Sequence, residues 1–105
     1  AKTAAAARTN LGTAATSLYN GTLTSGSITF NYGNYNFYVI IGRPSSTASR
    51  TSLVVPRILL TTSAVSFQIA DESNYKAFNL SYSGSTVTLA MGNGAGQINR
   101  VFGIN

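Results

Sequence analysis

The sequence predicts an all-β fold: a small antiparallel β-sandwich of seven to eight strands after a short helical or shaft-like N-terminal segment. Three observations predict it. From residue 17 onward, short runs rich in Val, Ile, Phe and Tyr recur at regular spacing, and such residues suit a pleated, packed surface. Within most runs apolar and polar residues alternate with period two, as in a strand with one wet face. Between the runs stand Gly, Asn and Ser clusters that turn the chain.

The totals set bounds. At 105 residues the chain is one domain long. Apolar residues make up 44 %, enough for a real core, but charged residues make up only 9 %, where a soluble domain usually carries about 25 %. Ser, Thr, Asn and Gly fill the gap, a surface composition shared by many extracellular and virion proteins. The net charge of +5 comes from seven basic residues against two acidic ones. The basic residues are spread along the chain, whereas a nucleic-acid footprint would cluster them. The charge reads as solubility with a mild preference for anionic surfaces. No apolar run approaches the ~18 residues of a membrane span, and the N-terminus lacks the apolar core of a signal peptide. The chain opens mid-pattern without Met, so it is expected to be a piece of a longer protein.

Residues 1–16 stand apart. Ala4 to Ala7 favour helix, and Gly12 would stop it. So short a helix is marginal alone in water; it reads as the end of something longer, as a segment pressed against copies of itself, or as a frayed terminus. Residues 17–105 form the β domain. Residues 18–24 make a weak strand interrupted by Asn20-Gly21, and Ile28, Phe30 and Tyr32 alternate with polar residues in the next strand. Residues 34–42 are the densest aromatic and β-branched run of the chain. Tyr35, Phe37, Val39 and Ile41 share one face, and Asn36, Tyr38 and Ile40 the other. The run is apolar on both faces, so something must cover it twice.

A polar loop follows, residues 43–50, bracketed by Arg43 and Arg50. Residues 53–60 resume as a strand, again apolar on both faces, with Pro56 forcing an edge or a bulge. Val65, Phe67 and Ile69 line a half-buried strand. Phe78, Leu80 and Tyr82 line the next, and Val87, Leu89 and Met91 the one after, joined through a tight turn at Ser83-Gly84. Residues 92–96 read as a flexible loop. Ile98, Phe102 and Ile104 belong to a last strand.

Chemistry is sparse. With no His and no Cys, nucleophile–histidine arrangements are excluded, as are the usual transition-metal ligands and any disulfide. The only acidic side chains, Asp71 and Glu72, are adjacent. A glycosidase needs two carboxyls facing each other across a sugar, and neighbours on a strand point apart, so these read as a solvated turn. Residues 92–96 lack the helix and the Lys-Ser/Thr pair of a phosphate loop. Asn20-Gly21-Thr22 and Asn79-Leu80-Ser81 fit the glycosylation sequon, which arises by chance in so Asn- and Thr-rich a chain. No catalytic residue, cofactor or metal site is expected.

Six tyrosines remain, a residue type favoured both in binding surfaces and, with a wet hydroxyl, in cores. Asn34 and Tyr35 sit in an aromatic turn, and Arg43 and Arg50 bracket a basic loop; both border the same strand. Binding of a glycan or an anionic envelope group by these four residues is the expectation, although turn and loop lie at opposite ends of that strand.

The N-terminal run Ala7-Arg8-Thr9-Asn10-Leu11-Gly12-Thr13-Ala14-Ala15 resembles the A-R-x-N-L-G…T-A-A segment of bacteriophage tail fibres and side fibres. Residues 18–29 are similar to the openings of small fibre-tip domains. Asn99-Arg100-Val101-Phe102-Gly103-Ile104-Asn105 is similar to the I-x-x-I-x-G-I ending of many fibre chains. The His-x-His pairs by which some tips bind iron are missing, as are the β-helix repeats of depolymerising tailspikes. The resemblance implies a homotrimer at the distal end of a fibre, in the extracellular part of a virion. Residues 1–16 would be the end of the shaft and 17–105 the tip. The tip would attach the virion to a bacterial receptor, a glycan, lipopolysaccharide or outer-membrane protein, without nucleic-acid binding or membrane insertion. Leu11, Tyr38 and Ile40 are then expected at the trimer contact. Two alternatives stand beside it: a carbohydrate-binding module of a secreted enzyme, and a structural virion knob without a receptor.

Overall fold

Eight strands follow one another in residues 15–105, the part of the chain that the structure, a computed structural model, describes. They are β1 (Ala15–Leu23), β2 (Ser27–Asn31), β3 (Phe37–Arg43), β4 (Thr51–Pro56), β5 (Val65–Ala70), β6 (Tyr75–Ser83), β7 (Thr86–Gly94) and β8 (Gln97–Ile104). They make two antiparallel four-stranded sheets. Sheet A has the order β1-β8-β3-β4 and sheet B the order β2-β7-β6-β5. Sheet A supplies Tyr38, Ile40, Val55, Ile98 and Val101 to a common core, and sheet B supplies Phe30, Ile69, Phe78, Leu80, Val87 and Leu89. The expected all-β, two-sheet architecture is therefore present.

The outer faces of the sheets differ. Sheet B turns Ser27, Thr29, Thr88, Asn79, Ser81, Ser66 and Gln68 outward, so its strands alternate apolar-in and polar-out. Sheet A turns apolar side chains both ways. Its outer face carries cross-strand rows set by the register: Ile104, Phe37 and Pro56, then Phe102, Val39 and Val54. Phe37 is 42 % exposed and Val54 56 %.

Register corrects the face expected at a trimer contact. Tyr38 and Ile40 are fully buried within one chain, because Phe30 and the rest of sheet B cover that side; the Tyr38 and Phe30 rings meet at a tilt, centroids 5.7 Å apart. Side chains on a strand alternate, so the uncovered side is that of Phe37, Val39 and Ile41. Leu11 lies outside the described residues, as does all of the 1–16 segment except Ala15 and Thr16, which open β1.

Three element boundaries also differ from expectation. β1 runs through Asn20-Gly21 without stopping, because two register shifts against β8 absorb the irregularity. The strand expected over 53–60 ends at Pro56 and gives way to a 3₁₀ turn over Arg57–Leu59. There the Arg57 amide leaves the ladder and donates to the Asn36 carbonyl at 2.9 Å. The loop expected over 92–96 is mostly strand: β7 continues to Gly94, opposite Lys76. Gly94 manages this at φ 120°, a conformation open to glycine alone.

Candidate functional site

The register rows place Ala15, Ile104, Phe37 and Pro56 at one end of sheet A. At that end three segments are drawn together by backbone hydrogen bonds. Tyr32 N–H donates to the Ser85 carbonyl at 2.7 Å, Tyr82 N–H to Thr61 at 3.1 Å, and Arg57 N–H to Asn36. Between them opens a cleft of about 750 Å³, lined by Tyr32, Asn36, Phe37, Pro56, Arg57, Ile58, Leu60 and Tyr82. Its floor is core. Leu60 is buried, and below it the Tyr38 hydroxyl donates to the Tyr32 carbonyl at 2.6 Å. Burial pushes the Tyr38 hydroxyl up to about 12, against the opposing pull of the Arg57 charge. Tyr38 is a neutral donor there, not a base.

The cleft's polar feature is Arg57 set against a stacked pair of tyrosines. Tyr32 and Tyr82 lie nearly parallel, 8° apart with centroids at 4.6 Å. The Arg57 guanidinium lies over the Tyr32 ring, 4.0 Å from its centroid. Both groups therefore contact the Tyr32 ring. A guanidinium attracted to a ring face still has N–H groups to offer a ligand. Among the described residues the Arg57 side chain takes part in no hydrogen bond. Asp71 and Glu72 lie in the turn at the other end of β6, about 24 Å from Tyr82 at the ~3.4 Å rise of an antiparallel strand. The Asp71 carboxyl is held below its ordinary value by the amides of Asn74 and Ser73; it caps a turn.

The four expected receptor-binding residues fall at two ends. Tyr35 and Asn34 belong to the turn beside the cleft, but Tyr35 lies over Gly103 and meets Tyr38 edge-on at 6.0 Å, so its ring is largely packing. Asn34 is exposed. Arg43 and Arg50 flank the β3–β4 connection, about 20 Å from Phe37 along the strand. The structure does not bring turn and loop together. The cation that meets the aromatic end is Arg57, with Tyr82 as the second ring. Pro56-Arg57 held a signal for this, since a proline after an apolar strand ends the ladder and frees the next side chain. Pairing of Tyr82 with Tyr32 depends on sheet order, which local pattern does not encode.

Among the described residues no group of three His, Cys, Asp or Glu comes together to hold a metal, and no helix is long and apolar enough to cross a membrane. No protein-family model matches the chain, and neither a curated protein nor a solved structure does.

Proposed function

We propose that this chain is the attachment tip of a bacteriophage tail fibre, a homotrimer that joins the virion to a bacterial surface through the cleft at Tyr32 and Arg57. The observation that carries the reading is the contrast between the two outer faces. A wet face on sheet B and an apolar one on sheet A describe a protein whose sheet A is covered by something else. Apolar surface of this kind is what oligomer interfaces bury. The occupant is a further copy of the chain. The rows of Ile104, Phe37, Val39, Phe102 and Val54 carry no polar side-chain atom of their own, with Arg100 reaching over Phe102 at one edge, and an identical apolar face complements them.

The resemblance of residues 7–15 to fibre segments supports the same assembly. β1 enters sheet A from that segment.

The monomeric carbohydrate-binding module keeps one observation in its favour, the stacked Tyr32–Tyr82 pair beside a cleft. The experiment that separates the readings adds purified protein to a phage carrying this chain. An attachment tip blocks adsorption in proportion to its concentration. Unchanged adsorption, with the protein folded, contradicts the reading and leaves the structural knob or the module.

A further inference from the structure

We propose that the cleft selects a carboxylated saccharide, a sugar ring bearing a single negative charge, with Arg57 as its anchor. The inference rests on the cleft being the receptor site and names what that site reads. Charge complementarity carries it. Arg57 is the one cation lining the cleft, its side chain makes no hydrogen bond among the described residues, and both acidic side chains lie at the far end of β6. Its guanidinium lies over the Tyr32 ring, a contact that reduces the freedom left to lose on binding. A guanidinium fork matches a planar carboxylate through two parallel N–H···O bonds. A phosphate monoester carries about −1.5 to −2 charges at neutral pH and would call for a second cation, which the lining lacks.

The rest of the ligand follows from the walls. Phe37, Pro56 and Ile58 give apolar surface, with Ile58 89 % exposed at the rim. Asn36 and the two tyrosines add amide and hydroxyl groups. A pyranose has this duality, a C–H face against apolar walls and a hydroxyl edge against amides and phenols. A wholly apolar acid would leave Asn36 and the phenols unused.

Two-dimensional NMR titration of the whole chain tests this with three probes: a tetra-uronate, a neutral tetrasaccharide of the same linkage, and a short blocked peptide with one Asp between leucines. The uronate is expected to shift the amides of Tyr32, Arg57 and Tyr82 and to bind at least about tenfold tighter than the neutral sugar, as a charge-assisted pair implies. Arg57→Gln removes that preference and Arg57→Lys recovers part of it. Arg50→Gln, remote from the cleft, leaves it intact. Equal binding of the neutral sugar, tighter binding of the peptide, shifts confined to the Arg43–Arg50 loop, or no binding of any probe overturns the inference. If adsorption is still blocked by the protein in that event, the attachment reading stands and only the ligand class has failed.

Discussion

The hydroxyl of Tyr38 lies beneath the cleft and is fully buried, yet it is paired, because the Tyr32 carbonyl accepts its proton at 2.6 Å. That bond ties β3 to the turn that carries the cleft, so Tyr38→Phe is expected to cost about 1–2 kcal/mol, the value of a lost buried hydrogen bond with its acceptor orphaned. Urea unfolding checks it. The same hydroxyl gives a pH signature. Its folded value, about 12, lies above the ordinary ~10 of an unfolded tyrosine. Between those values the folded state holds the proton more tightly, so stability falls as pH rises. The contribution is complete below pH ~10 and lost as pH climbs through the folded value, and Tyr38→Phe should flatten this alkaline slope. Gly103 makes a second residue-scale case. A Cβ there would sit 2.5 Å from the Tyr35 ring, so Gly103→Ala must displace that ring at a cost of about 1–3 kcal/mol. A thermal melt that does not move would show that Tyr35 is free to swing away.

At the scale of the element, sheet A has two apolar faces and one internal cover. Substitution on either face should therefore fail differently. Tyr38→Asp buries an unpaired carboxylate among Phe30, Val55 and Val101, and is expected to unfold the chain. Val54→Asp places its charge on the uncovered face, so each chain keeps its fold while association weakens by about a hundredfold or more, a buried unpaired charge at an interface being costly. Circular dichroism with light scattering separates the outcomes. An unfolded Val54→Asp would show that the outer face is part of one chain's own core.

Much of this was legible in the sequence. Alternation located β2, β5, β6 and β7 and their inner residues, since period two needs no tertiary information. The double-sided character of residues 34–42 and 53–60 was equally plain. Which face looks inward was not, because a strand apolar on both sides carries no signal for its orientation. Only pairing with β8 and β4, and sheet B beyond, turns Tyr38 and Ile40 inward. The cleft was half legible: the aromatic turn at Asn34 and Tyr35 borders it, but its cation comes from Arg57. The bond that holds Arg57 there, its N–H to Asn36, spans two segments 21 positions apart.

The whole molecule joins a wet sheet B, a sheet A with an apolar outer face, and a cleft at the end where β1 begins. The cleft shares Phe37 and Pro56 with the apolar face, so in the proposed trimer it would open at the rim between copies. Each copy carries a net charge of +5, which opposes association at low salt. Raising salt toward 0.5 M shortens screening below about 10 Å, so the trimer is expected to tighten, while uronate binding at Arg57 weakens. Opposite salt responses of two processes on one molecule would be hard to produce from a non-specific aggregate.

The most direct test of the central claim is sedimentation equilibrium of the chain at micromolar concentration, beside Val54→Asp. Three times the chain mass of 11.0 kDa is expected for the unaltered protein, and a single folded chain for the variant. A single-chain mass for the unaltered protein, or an unchanged trimer for Val54→Asp, would contradict the assignment of the outer face of sheet A to contact between copies.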